Sequence, residues 1–167
     1  MGPKDPNGAQ GSLGMKSRGR RPELGGLQII RAIASGELPQ PPLVALLGFR
    51  LTVVEPGHVT VVGEPRESFY NGAGVIHGGW SAALLDTALG CAVNSMMPAG
   101  RAFTTLELTV NLTRPLRQDV GEVRCEATVL HVGNRIATAE ARIVDSQGKL
   151  YAHGTTVCIS VERPADR

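Results

Sequence analysis

The sequence has few aromatic residues, few cysteines and no long apolar run. Six of its 167 residues are aromatic, namely Phe49, Phe69, Tyr70, Trp80, Phe103 and Tyr151. Because 42% of the residues are nonetheless hydrophobic, the core has to be built from Val, Leu, Ile and Ala. This composition excludes collagen-like, disulfide-scaffold and wholly disordered chains.

The three cysteines, Cys91, Cys125 and Cys158, lie far apart in the chain, and no Cys-x-x-Cys motif occurs. Each stands in an apolar run, which favours buried, reduced thiols and a reducing compartment. The first 25 residues lack the apolar segment of a secretory signal peptide, and no run reaches the roughly 18–20 apolar residues of a membrane span. We therefore expect a soluble, cytoplasmic protein that does not enter a membrane.

Neither sign of charge predominates, since the formal net charge is +2. Residues 1–25 alone carry a net charge of +3, so the remainder carries −1 and has no overall charge suited to nucleic acid. Residues 1–25 also contain six glycines and three prolines but almost no large apolar side chain. We predict a disordered tail over 1–25 and one domain over 26–163.

The hydrophobic period changes along the domain and predicts an α+β fold. Helical spacing covers residues 26–35, 43–47 and 78–94, and alternating residues predict strands at 49–53, 59–61, 103–113, 122–132, 135–145 and 149–161. The segment 78–94 has apolar residues on all its faces, which is typical of a helix buried on every side. An antiparallel sheet curled around this central helix satisfies the pattern.

Asp86 is the one residue of the segment 78–94 that carries a charge at neutral pH. A carboxylate inside an apolar helix is costly unless it is paired or neutralised. One interpretation is a hydrogen bond to a neighbouring strand or helix end, and the other is a catalytic carboxylate. The second is favoured by His77-Gly78-Gly79 at the start of the helix, where free N–H groups can stabilise a developing oxyanion.

These motifs resemble those of the hotdog-fold acyl-CoA thioesterases, specifically the phenylacetate-pathway (PaaI-like) family, over residues 42–161. The resemblance rests on Asn71…His77-Gly78-Gly79…Leu85-Asp86-Thr-Ala-Leu-Gly90, on Thr104-Thr-Leu-Glu-Leu-Thr-Val-Asn-Leu-Thr-Arg-Pro115, on Gly133-Asn-Arg135, on Ala139-Glu-Ala-Arg142 and on Ala152-His-Gly-Thr155. It implies a homodimer with a continuous sheet, often paired into a homotetramer, and an acyl-CoA substrate bound between subunits.

The resemblance also implies a role for each matching residue. Asp86 is implied as general base or nucleophile, Gly78 as oxyanion donor, and Asn71 as the group that orients water or substrate. His77 is implied as a positioning residue. Thr105 matches a Ser or Thr that relatives supply from the partner subunit, with Thr104 as the alternative match.

The remaining candidates concern the substrate rather than the chemistry. Gly79 would let a carbonyl approach the backbone, Trp80 would line the acyl site, and Arg114 and Arg135 could meet the phosphates of coenzyme A. The scattered histidines show no metal-ligand spacing, so we expect neither a metal nor a cofactor. No Gly-x-Ser-x-Gly motif supports a serine hydrolase.

Two other functions remain open at this stage: an enoyl-thioester hydratase or dehydratase of the same fold, and a non-catalytic acyl-CoA binding module. The sequence also leaves the acyl group open, as it does the choice between coenzyme A and an acyl-carrier protein as donor. A screen of acyl thioesters for hydrolysis separates most of these alternatives.

Overall fold

One antiparallel sheet of six strands forms the frame of the computed structural model, which describes residues 23–162. The strands are β1 (Arg50–Glu55), β2 (His58–Gly63), β3 (Arg101–Leu112), β4 (Val123–Val132), β5 (Ile136–Val144) and β6 (Leu150–Glu162). They lie in the order β1-β2-β4-β5-β6-β3, and each neighbouring pair is antiparallel. Strands β1 and β3 are therefore the two edges of the sheet.

Three α-helices accompany the sheet over these residues: α1 (Gly26–Ser35), α2 (Pro42–Leu47) and α3 (Gly78–Ser95). Helix α3 contacts all six strands, and α1 packs against β1 and α3. Single 3-10 turns at Glu67–Phe69 and Gln118–Val120 complete the elements. The predicted α+β fold, with an antiparallel sheet around a long central helix, is confirmed. Most of the predicted tail at 1–25 lies outside the described residues.

Helix α3 forms the centre of the core on one of its sides only. Leu84, Leu85 and Leu89 are fully buried against the sheet. On the opposite side, Asp86 and Gly90 belong to a half-buried stripe that runs the length of the helix. The expectation of a helix buried on every side is thus wrong for this stripe, because the sheet ends at the edge strand β3 and does not close around the helix.

Strand β3 contains a β-bulge that changes which side chains face α3. The pairing of β3 with β6 shifts register between Thr105 and Glu107, which leaves Leu106 as the extra residue. A bulge reverses the inward and outward alternation of a strand from that point on. Phe103 is buried before the bulge, Leu108 packs against the core after it, and Leu106 is 59% exposed. The predicted uniform alternation of this strand is therefore wrong at Leu106.

The turn between β5 and β6 is fixed by a buried carboxylate. Asp145 Oδ1 accepts hydrogen bonds from the backbone N–H groups of Gln147 and Lys149, each at 2.9 Å. The Tyr151 hydroxyl donates to Oδ2 at 3.2 Å, and Gly148 adopts the left-handed conformation (φ 79°) that the turn requires. The turn lies between the strands predicted at 135–145 and 149–161, and its carboxylate holds the adjoining ends of β5 and β6 together.

No helix within residues 23–162 has the length and apolarity needed to cross a bilayer.

Candidate active site

Asp86 lies at the middle of α3 and is held by a side chain of β3. The Thr105 hydroxyl donates a hydrogen bond to Asp86 Oδ1 at 2.8 Å. Oδ2 of the same carboxylate makes no hydrogen bond within residues 23–162. This contact is the hydrogen bond to a neighbouring strand that the first interpretation of Asp86 expects. It still leaves one carboxylate oxygen available for chemistry. It also differs from the implied partner-subunit hydroxyl, because here Thr105 reaches the carboxylate of its own chain.

The bulge in β3 explains how Thr105 reaches α3. In the sequence, Thr105 alternates with Leu106 and Leu108 and would face away from the apolar side of the strand. Thr105 instead shares the side of the buried Phe103, and the bulge at Leu106 brings Leu108 to that same side. A polar side chain is thereby placed beside Asp86 without an interruption of the apolar side of the strand.

A cavity of about 450 Å³ opens beside the Asp86 carboxylate. This Asp86 chamber is bounded by α1, α2, α3 and β3, with Ile29, Val44, Asp86, Gly90, Phe103 and Thr105 among its lining residues. Small-molecule sites have volumes of roughly 300–1,000 Å³ and are mostly apolar with a few placed polar groups. The chamber fits this description, with a single carboxylic acid in an otherwise uncharged lining.

Two cysteines lie close to Asp86 and are held as thiols. Burial, and secondarily the charge of Asp86, raises the pKa of Cys91 to about 12. Burial likewise raises the pKa of Cys158, although hydrogen bonds from Thr156 and Thr105 oppose the shift. A protonated thiol is a poor nucleophile. Asp86 is therefore the one strong base candidate among the residues that line the chamber.

The start of α3 carries a second set of groups. His77 is the N-cap, and its Nδ1 accepts a hydrogen bond from the Gly79 N–H at 3.0 Å. The Gly78 N–H makes no hydrogen bond within residues 23–162. A Cβ at Gly78 would lie 2.6 Å from Leu112 Cδ1, so only glycine fits there without a shift of Leu112. His77 thus engages one N–H group and leaves the Gly78 N–H free.

Asn71 and Arg114 lie in the same cleft as Gly78. This helix-start cleft, of about 260 Å³, is lined by Asn71, Gly78, Ser81, Leu112 and Arg114 among others. Asn71 Oδ1 accepts from the Ala73 N–H at 2.9 Å, which fixes the loop before α3. Arg114 Nη1 donates to the Leu150 carbonyl at 2.7 Å. An uncommitted N–H, an amide side chain and a cation therefore meet at one end of β3.

Two of the sequence candidates lie apart from both cavities. Trp80 is 5% exposed and packs against Phe49 and Phe69, with ring centroids at 5.3 and 6.1 Å. Its ring fills the core because residue 80 falls on the side of α3 that faces the sheet. Arg135 is exposed in the turn between β4 and β5, where its carbonyl accepts from the Ser160 N–H.

The sequence interpretation missed Asn94, which joins α3 to β3. Its Oδ1 accepts from the Phe103 N–H at 2.9 Å, and its Nδ2 donates to the carbonyls of Gly90 and Phe103 at 2.9 and 3.1 Å. The available signal was its helical phase, because residues 86, 90 and 94 lie on one face at intervals of four. Asn94 fixes the strand beside the chamber. Within residues 23–162, no group of three or more His, Cys, Asp or Glu could hold a metal.

Known proteins share this arrangement and part of this sequence. The sequence profile of the Thioesterase superfamily matches residues 73–152, which include both the start of α3 and Asp86. The esterase-named protein VNG_1336C of Halobacterium salinarum is 32% identical over 122 residues, which cover 70% of this chain and 79% of that protein. The chain belongs to the thioesterase superfamily. It is a thioester hydrolase with the hotdog fold.

Further relatives of this thioesterase include the proofreading thioesterase EntH of Klebsiella pneumoniae, 31% identical over 107 residues, covering 64% of this chain and 77% of EntH. Among solved structures, PA5202 from Pseudomonas aeruginosa is 31% identical with a TM-score of 0.68, over 73% of this chain and 95% of that one. A variant of phenylacetic acid degradation protein PaaI from Thermus thermophilus is 30% identical with a TM-score of 0.65, over 71% and 98%. The resemblance to PaaI-like thioesterases is confirmed.

The two groups of candidate site residues do not meet within one chain. Gly78 and Asp86 are eight residues apart on a regular helix, which separates them by about 12 Å along its axis. A thioester carbonyl hydrogen-bonded to the Gly78 N–H is thus beyond the reach of the Asp86 carboxylate in the same chain. The candidate residues of each chain therefore fall into two groups, which we call half-sites: one at the helix-start cleft and one at the Asp86 chamber.

Proposed function

We propose that this thioesterase hydrolyses an acyl-coenzyme A to the free acid and coenzyme A, with Asp86 as general base or nucleophile. The observation that supports this most strongly is the Asp86 carboxylate itself, which lines a mostly apolar chamber and has one oxygen bonded by Thr105 and the other unbonded within residues 23–162. An acyl group fits a mostly apolar chamber, and the Asp86 carboxylate in its lining would then be near the thioester carbonyl carbon.

The chemistry needs few groups. As a base, Asp86 takes a proton from water while the water oxygen attacks the thioester carbonyl. As a nucleophile, it attacks the carbonyl itself, and water then hydrolyses the anhydride that results. In both routes the carbonyl oxygen becomes an oxyanion, which the Gly78 N–H stabilises, and the C–S bond breaks to release the thiolate. A thiolate leaves readily, so no separate acid is required.

We propose that two chains assemble each site. Strand β3 is an edge of the sheet and exposes Leu106 and Leu112, by 59% and 55%. An unpaired edge favours antiparallel pairing with a second copy. A twofold axis between Leu108 and Thr109 would place Thr105 opposite Leu112 of the partner subunit, because their residue numbers lie equally far from the axis. Since Leu112 touches Gly78, the Asp86 half-site then adjoins the partner's helix-start cleft.

The helix-start cleft also suits the coenzyme A portion of the substrate. Asn71 can orient the water or the thioester beside Gly78, and Arg114 provides a cation at the same opening. Guanidinium groups bind phosphates strongly. Arg135 lies outside both half-sites, so we assign it no contact with the reacting part of the substrate.

The test follows free thiol released from a panel of straight-chain and aryl acyl-CoAs. Because general-base catalysis contributes about 10²–10⁴-fold, we expect Asp86→Asn to lose activity by about that factor. Unchanged thermal unfolding would show that the variant is folded. A folded Asp86→Ala protein with wild-type turnover would contradict the mechanism. Hydration of an enoyl thioester, or tight acyl-CoA binding without turnover by the wild type, would point to the two alternative functions.

A further inference from the structure

Gly90 is a glycine in the interior of α3 that the fold of the chain does not require. Glycine disfavours a helix interior more than any residue except proline. Its use is usually explained by a positive φ or by the close approach of other atoms. Gly90 has no positive φ, and no described atom outside its own helix turn and neighbours lies within 4 Å of where a Cβ would stand. By contrast, a Cβ at Gly78 would meet Leu112.

The missing side chain leaves space inside the Asp86 chamber. Gly90 lines that chamber and follows Asp86 by four residues, so the two lie on one face of α3, about 6 Å apart along the axis. We name this space the Gly90 notch. An acyl group whose carbonyl lies at Asp86 would reach the notch within its first few carbons.

The walls around the notch are fixed by hydrogen bonds. Asn94 binds the Gly90 carbonyl and both backbone groups of Phe103, which holds β3 at a set distance from α3. The Gly26 N–H donates to the Met97 carbonyl at 2.8 Å, which anchors the start of α1 to the end of α3. The notch is therefore held open, and Ile29 of α1 lines the same chamber.

We propose that Gly90 is a specificity-determining residue, whose notch admits a branch or an aromatic ring close to the thioester carbonyl. This rests on the proposed function. The other occupant that could need a glycine is the helix of a second copy. An acyl group is favoured because α1 and α2 of the same chain wall the chamber and because the notch adjoins Asp86.

The test compares phenylacetyl-CoA, which has a ring near the carbonyl, with straight-chain butyryl-CoA. Each methylene gained or lost in an apolar pocket changes discrimination by about 10-fold or more. We expect Gly90→Val to lower kcat/KM for phenylacetyl-CoA at least tenfold and to change that for butyryl-CoA less than threefold. Ile29→Ala, which widens the chamber, should leave kcat/KM for phenylacetyl-CoA unchanged and raise kcat/KM for bulkier aryl groups. Ala34→Leu, an equal enlargement on the exposed side of α1, should alter neither substrate.

Stability provides a second readout with the opposite sign. Gly90→Ala should raise the melting temperature by about 3 °C because alanine favours the helix and meets no atom of its own chain. A higher melting temperature together with a lower kcat/KM for phenylacetyl-CoA is the result that a merely structural glycine would not give. Equal effects of Gly90→Val on both substrates would overturn the proposal, as would a change of oligomeric mass, which would assign the notch to a second copy.

Failure of the proposed function is distinguishable from failure of this inference. If the wild type released no thiol, calorimetric binding of a non-hydrolysable phenylacetyl thioether of coenzyme A would still test the notch. Binding that Gly90→Val weakens at least tenfold supports the notch, and equal binding to both proteins overturns it. If the wild type is active and only the Gly90 series shows no selectivity, Asp86 retains its role and Gly90 has none.

Discussion

A single hydroxyl, that of Thr105, holds one oxygen of the Asp86 carboxylate. Thr105 binds Oδ1, so the carboxylate cannot rotate freely, and Oδ2 is left toward the chamber. A hydrogen bond to an ionised group contributes more than one between neutral groups. We infer that Thr105 acts as a positioning residue, through Asp86 rather than on the substrate.

Removal of this hydroxyl should slow the reaction without weakening substrate binding. Since hydrogen bonds to charged groups contribute about 1.5–3 kcal/mol, we expect Thr105→Val to reduce kcat by about 10–100-fold with little change in KM. Thr105→Ser restores the hydroxyl and should recover most of the rate. Steady-state kinetics on one acyl-CoA checks both variants, and a Thr105→Val enzyme with wild-type kcat would show that the contact is only structural.

The elements differ in how far the sequence alone predicts them. Helix α1 is found at the predicted residues 26–35, because its apolar spacing and the terminal Gly36 are local signals. The bulge in β3 was not predictable, because the alternation through Leu106 is uninterrupted and the register comes from pairing with β6. The position of Trp80 in the core was not predictable either, because a uniformly apolar helix does not reveal which of its sides faces the sheet.

The Asp145 carboxylate in the β5–β6 turn makes the stability of the fold depend on pH. The N–H of Lys149 foremost, with the Gln147 N–H and the Tyr151 hydroxyl, holds the pKa of Asp145 below its ordinary value against the opposing effect of burial. A carboxylate with a lowered pKa stabilises the fold above its unfolded pKa, about 3.9, and this contribution is lost as the pH falls through the folded pKa. Asp145→Asn should therefore destabilise the protein at pH 7 and by less near pH 3, where part of this contribution is already lost.

Urea unfolding at the two pH values measures this difference directly. The exposed Asp119, for comparison, should show almost no change in unfolding free energy as Asp119→Asn at either pH. An Asp145→Asn variant that is equally destabilised at pH 7 and pH 3 would show that shape, rather than charge, accounts for the role of Asp145.

For the whole molecule, the proposed mechanism requires two copies of the chain in each site. The half-sites lie at different points of α3, and the free edge β3 passes both of them, with Thr105 near one and Leu112 near the other. The sequence motif contains both Gly78 and Asp86. The distance between them becomes evident only from the length of helix that separates them. Under the proposed mechanism, a dimer through β3 would be the smallest assembly that brings a complete set together.

Mixing two inactive variants tests this most directly. Asp86→Asn removes the carboxylate, and Gly78→Pro removes the free N–H at the first position of α3, where proline is tolerated. Gly78→Ala, which adds a Cβ but keeps the N–H, serves as the control for crowding against Leu112. Each mixed dimer would contain one site with both groups intact and one site with neither.

The decisive measurement is thiol release by an equimolar, co-expressed mixture of Asp86→Asn and Gly78→Pro chains. Half of randomly paired dimers are mixed and each has one complete site, so the account predicts recovery to about one quarter of wild-type activity. Affinity tags on the two variants confirm that mixed dimers form. Activity no greater than the average of the two variants alone, with mixed dimers present, would contradict a site shared between two chains.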